Sequence, residues 1–126
     1  MILVIGGAYQ GKLAYAQERF SLTDTDVFFC NDVDSAIPQN KRIINELDKW
    51  ILALLRADKD VQEQTKQFVE KHGDSIVICN DISSGVVPTK ALFREWREAV
   101  GRSLSEMARG SDEVIRLFCG IPTRIK

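Results

Sequence analysis

Histidine occurs once in these 126 residues, proline three times and cysteine three times. A lone histidine, His72, leaves no His-rich metal cluster to look for, and an odd number of cysteines without C-x-x-C spacing fits neither a disulfide framework nor a zinc site. Charge of one sign is also missing: the net charge of −1 supplies no bulk attraction for a nucleic acid. No apolar run approaches the roughly 20 residues of a membrane span. The chain opens on a strand-like segment instead of a basic region followed by a secretory apolar stretch, so the expected location is cytoplasmic. Linkers, repeats and low-complexity tracts are lacking as well. Residues 1–126 therefore read as a single domain, and 44% hydrophobic content is enough to bury a core.

What is present alternates between strand and helix. Candidate strands are Ile2 to Ile5, Asp26 to Cys30, Lys41 to Asn45, Ser75 to Cys79 and Glu113 to Cys119, short and rich in Val, Ile and Phe. Each cysteine closes an apolar run, so Cys30, Cys79 and Cys119 read as buried strand ends. Between the strands, Leu47, Trp50, Ile51, Leu54 and Leu55 follow helical spacing, as do Leu92, Trp96, Val100, Leu104 and Met107, with Pro88 and Gly110 bracketing the second stripe. Trp50 and Trp96 then read as core anchors. Asp60 to Lys71 carries few apolar points and reads as a more exposed helix, with His72 placed to interact favourably with its C-terminus. Asp32-Val33-Asp34 reads as a solvated turn, since the rest of a calcium loop is missing. About five strands separated by helices predict an α/β fold of three layers, a mostly parallel sheet with helices on both faces.

The chemistry concentrates at the first strand-to-helix turn. Ile2-Leu3-Val4-Ile5 runs into Gly6-Gly7-Ala8-Tyr9-Gln10-Gly11-Lys12, and a helix-compatible stretch follows to Phe20. Glycines at both ends let successive backbone N–H groups turn inward on phosphate oxygens, the helix adds its positive N-terminal end, and Lys12 adds a full charge. The residue after the lysine is Leu13, where Ser or Thr would place a hydroxyl on the Mg²⁺ that bridges the β- and γ-phosphates. Gly6, Gly7, Ala8, Tyr9, Gln10, Gly11, Lys12 and Leu13 are thus the candidate nucleotide-binding residues. Tyr9 and Gln10 at the tip suit either a ribose or base contact or a plain surface loop.

This opening segment, the run Asn80-Asp81-Ile82-Ser83-Ser84-Gly85-Val86-Val87-Pro88, and Phe93-Arg94-Glu95 through Gly101-Arg102 to Asp112-Glu113-Val114 and Gly120-Ile121-Pro122 resemble the bifunctional adenosylcobinamide kinase and adenosylcobinamide-phosphate guanylyltransferase family of cobalamin biosynthesis. Ile43-Ile44-Asn45 with the helix after it resembles the family's third strand and helix. The resemblance implies a RecA-like P-loop domain assembled as a homotrimer. It implies phosphorylation of adenosylcobinamide by GTP or ATP, then transfer of GMP through a guanylylated histidine.

Three departures bear on that chemistry. Leu13 replaces the metal-binding hydroxyl, and Asn45 stands where the family has an acidic residue, which leaves Mg²⁺ without two expected ligands and no metal site assigned. Glu46, Asp48 and Asp81 are substitute carboxylates, with Asp81 preferred because it matches the family's Glu after Asn80. Lys12 and Asp81 are the candidate catalytic residues. The short connection Asn31 to Asn40 lacks the segment that carries the acceptor histidine, and His72 lies elsewhere, so covalent guanylyl transfer is expected to be lost. Arg94, Arg97 and Arg102 read as a solvated or intersubunit face, or as a phosphate contact. Two readings follow: a nucleotide-dependent kinase of cobamide metabolism, and a non-catalytic nucleotide- or anion-binding homologue.

Overall fold

The computed structural model describes residues 1–82 and 90–126. In chain order its elements are β1 (Ile2–Gly6), α1 (Lys12–Phe20), β2 (Val27–Phe29), β3 (Ile43–Asn45), α2 (Leu47–Arg56), α3 (Val61–Lys71), β4 (Ile76–Asn80), α4 (Ala91–Gly110), β5 (Glu113–Phe118) and β6 (Ile121–Arg124). A short 3₁₀ turn, Asp24–Asp26, leads into β2. The strands form one sheet in the order β2-β3-β4-β1-β5-β6, parallel except for β6, which runs antiparallel to β5.

The three layers follow from the period of the strands. Leu3, Ile44, Val77 and Val114 point to one face and pack with Leu47, Ile51, Leu54, Phe68, Val100 and Met107 from α2, α3 and α4. Their neighbours Val4, Ile43, Ile76, Ile78 and Ile115 point to the other face, onto Ala16, Leu13, Tyr15 and Phe20 of α1. Strands buried on both sides carry apolar residues at consecutive positions, which is why β1, β3 and β4 read as unbroken Val/Ile/Leu runs. Each fully buried Leu or Ile here contributes about 1.5–3 kcal/mol. Trp50 and Trp96 anchor the three-helix face as expected, and each indole N–H finds a carbonyl, Ser35 O at 2.9 Å and Asp48 O at 2.7 Å. Asp60 caps α3 by accepting from the Glu63 N–H. Asp32 pairs with Arg56 at 3.0 Å in a solvated connection.

Four features differ from the sequence reading. The sheet has six strands, because a two-residue turn at Cys119 and Gly120 reverses the chain into β6. Both turn residues have positive φ, 51° and 74°, as a tight hairpin requires. Cys119 is therefore an exposed turn residue and not a buried strand end, whereas Cys30 and Cys79 are buried free thiols as expected. Burial pushes the Cys30 thiol up to about 12 and raises Cys79 well above its ordinary range. β2 and β3 are three residues each: β2 lacks Asp26 and Cys30 of the expected strand, and β3 lacks Lys41 and Arg42. Finally, His72 caps α3 from a buried position, its ring 4.5 Å from that of Phe68. Burial first, and then Lys71, lower its pKa, so it packs as a neutral ring instead of offering charge to the helix end. The expectations placed on Ser83, Ser84, Gly85, Val86, Val87 and Pro88 lie outside the described residues.

The His72 pKa is held below its ordinary 6.5, so below that pH the unfolded chain binds a proton that the folded chain does not. Its contribution is complete above pH 6.5 and is lost as pH falls toward the folded value. In urea titrations from about pH 7 to about pH 5, His72→Gln should lose less stability than the wild type; equal losses would contradict this. A Cβ on Gly6 would lie 2.5 Å from the Leu117 carbonyl oxygen of β5, whereas one on Gly11 meets nothing within 4 Å but sits at a φ of 81°. Gly6→Ala should cost about 1–3 kcal/mol by crowding backbone, while Gly11→Asn, which tolerates left-handed backbone, should keep nearly the wild-type thermal midpoint.

Candidate functional site

The carboxyl ends of β1, β3 and β4 lie together because these strands are parallel neighbours, with Gly6 in register with Asn80. Ligands of open α/β sheets bind at such strand ends. A cavity of about 420 Å³ opens there. Ala8, Tyr9, Gln10, Gly11, Lys12 and Leu13 form one wall, and Asn45, Glu46, Lys49, Ile78 and Asn80 form another. Of the glycine loop, Gly6 lies beneath the cavity against β5, and Gly7 offers its carbonyl to the Lys12 ammonium at 2.5 Å. Gly11, at a φ of 81°, turns the chain into α1, whose N-terminal end faces the cavity.

Lys12 is only 6% exposed, although it carries the charge the site needs. Burial lowers its pKa, and the carboxylates of Asp48 and Glu46 oppose that shift. Asp48 is itself buried: its oxygens accept from the Asn80 backbone N–H at 3.2 Å and from Asn80 Nδ2 at 3.4 Å. Desolvation raises the Asp48 pKa, and those Asn80 hydrogen bonds restrain the rise. Gln10 Oε1 accepts from the Cys119 N–H, tying the loop to the β5–β6 turn, so this side chain has a structural partner. Tyr9 stands fully exposed at a φ of 60°.

Asp81 follows β4 and donates its backbone N–H to the Gly6 carbonyl at 2.9 Å. The carboxylate among the cavity's lining residues is that of Glu46. Lys49 was not singled out in the sequence. Within residues 47–54 of α2 it is the one exposed position, a lysine interrupting an otherwise buried stretch, and that interruption is the signal that could have found it.

The family's Mg²⁺ does not fit the side chains present. Leu13 packs partly buried against the α1 face of the core, and Asn45 Oδ1 accepts from the Glu46 N–H at 2.9 Å. Asp48 is committed to Asn80, and Glu46 pairs with Lys49 at 3.2 Å. Recognition of a phosphate uses other groups, namely backbone N–H groups, a helix N-terminus and a cation, and the start of α1 and Lys12 both line this cavity.

The family of cobinamide kinase / cobinamide phosphate guanyltransferase matches residues 30–125. The match starts downstream of the glycine loop, whose reading rests on Gly6–Lys12 themselves. Among known proteins, the bifunctional adenosylcobalamin biosynthesis protein CobU of Salmonella typhimurium is 26% identical over 84 residues, 65% of this chain. That stretch is 46% of the relative, so the similarity spans under half of its length. Matched over well beyond half of its residues, the chain belongs to the cobinamide kinase / cobinamide phosphate guanyltransferase family.

Proposed function

We propose that this chain is a nucleotide-binding protein of cobalamin biosynthesis that takes the phosphates of GTP or ATP at residues Gly6–Leu13 and no longer performs histidine-dependent guanylyl transfer. The observation that carries the reading is a nearly buried lysine beside an open cavity at the strand ends, at the start of a helix. On binding, the Lys12 ammonium exchanges the Gly7 carbonyl for a phosphate oxygen, and the loop N–H groups meet the remaining oxygens. Gly6 lies close against β5 and Leu13 packs on the core, so both hold the loop to the sheet.

Whether phosphoryl transfer to adenosylcobinamide accompanies binding separates two readings. In the kinase, Lys12 stabilises the transferring group and Asp81 is the assisting carboxylate. Leu13 packed on the core and the amide at Asn45 favour the non-catalytic binder, since electrostatic stabilisation supplies nearly all the acceleration in this chemistry.

The proposal includes one nucleotide-binding domain, a cytoplasmic place and a homotrimer. Buried free thiols at Cys30 and Cys79 suit a reducing compartment, and no helix among the described residues is long and apolar enough to cross a membrane. Exposed Phe118 at the end of β5, Ile121 at the start of the edge strand β6 and Ile125 after it suit a subunit contact. Light scattering should give three times the 14.2 kDa of one chain.

Calorimetric titration with GTP and with ATP tests the binding, beside a phosphorylation assay on adenosylcobinamide. Heat of binding is expected with at least one nucleotide, and Lys12→Ala should weaken it by about 10-fold to 100-fold, the worth of a charged hydrogen bond. No label from α-labelled GTP should remain on the denatured protein. Absence of heat with both nucleotides would reject the reading, and phosphorylated product would reject the non-catalytic form of it.

A further inference from the structure

A nucleoside polyphosphate brings several negative charges into a site whose loop supplies one lysine, and P-loop proteins balance the remainder with Mg²⁺. Here the hydroxyl and the carboxylate that would hold that ion are Leu13 and Asn45, and both are occupied: Leu13 on the core, Asn45 with the Glu46 N–H. The cavity nonetheless has a second cation. Lys49, on the first turn of α2, lines it opposite Lys12.

Its position is specific to the fold. All other residues from Leu47 to Leu54 are buried, so this stretch of α2 presents one side chain outward, and it does so at the cavity. Glu46, the N-cap of α2 at a φ of 59°, holds the ammonium at 3.2 Å. The two side chains are 45% and 32% exposed, and a pair this solvated contributes little, so a phosphate can take the lysine at small cost. Asp48, next in sequence to Lys49, is buried and held by Asn80, which keeps its charge out of the exchange.

We propose that Lys49 supplies the second positive charge of the phosphate site in place of a divalent cation, so that this chain binds a nucleoside polyphosphate as the metal-free anion. The proposal rests on the nucleotide reading above and adds the form of the ligand and the residue that selects it. Chelation by Mg²⁺ removes charge from the phosphates that Lys49 would meet, so the metal gives no gain.

The test is calorimetric titration of the full chain with GTP and with ATP, once in EDTA and once in excess Mg²⁺, on wild type, Lys49→Gln and Lys49→Arg. Far-ultraviolet circular dichroism melts should show all three equally folded, since position 49 is exposed. For the nucleotide that binds, wild-type affinity should be the same within about 3-fold in the two buffers or weaker in Mg²⁺, Lys49→Gln should bind about 10-fold more weakly in EDTA, and Lys49→Arg should retain binding. Affinity that rises 10-fold or more on adding Mg²⁺, or a Lys49→Gln variant that binds like wild type, would overturn the proposal while leaving the nucleotide reading intact. No heat with either nucleotide in either buffer would overturn both.

Discussion

Lys12 is a charged side chain with almost no contact with water, its ammonium donating to the Gly7 carbonyl at 2.5 Å. Removing an ammonium from water is costly unless its charge and hydrogen-bonding capacity are met inside. Asp48 and Glu46 supply the opposing charge, and meeting that need links distant elements. Asp48 binds Asn80 at the end of β4, which is in register with Gly6 of β1, and its backbone carbonyl takes the Trp96 indole of α4. Asp48 thus joins the second helix, the end of the fourth strand and α4 beside the buried lysine. Core packing sets that junction at the carboxyl ends of the parallel strands, the place where a phosphate would find both the loop and the lysine.

In the same neighbourhood, the groups that would bind a phosphate differ from those that would hold a metal. The proposed anion recognition rests on the turn at Gly11, the helix end, Lys12, and an open volume between the loop and α2. Parts that would serve the metal have been given other work. Leu13 adds packing to the α1 face, Asn45 satisfies the Glu46 N–H, and the residues after Asn45 put a buried carboxylate at 48 and an exposed lysine at 49. Two lysines and one partly exposed carboxylate line the cavity, the balance on which the proposed anion binding rests.

Much of this was legible in the chain itself. Runs such as Ile2-Leu3-Val4-Ile5 and Ile76-Val77-Ile78-Cys79 can satisfy both of their faces only in a buried parallel sheet, and the spacing of Leu47, Trp50, Ile51 and Leu54 has one helical solution. The glycine loop was visible because its conformations demand glycine. Long-range satisfaction was not visible: that Gln10 would be spent on Cys119, or Asp48 on Asn80, depends on strand order, which no local pattern encodes. β6 was missed because Cys119-Gly120 is an unusual hairpin turn and Pro122 argues against a strand anywhere except an edge. His72 was misread because its sequence neighbours are polar, while its ring faces Phe68 one turn back.

If the glycine loop cradles phosphate, backbone amide shifts on isotope-labelled protein titrated with GTP or ATP will locate it. Saturable shifts concentrated at residues 7–13 and at Lys49 are the predicted result, because those N–H groups and charges would meet the phosphates. Binding that leaves these amides unmoved while shifting residues elsewhere, such as the groove between α3 and α4, would contradict it.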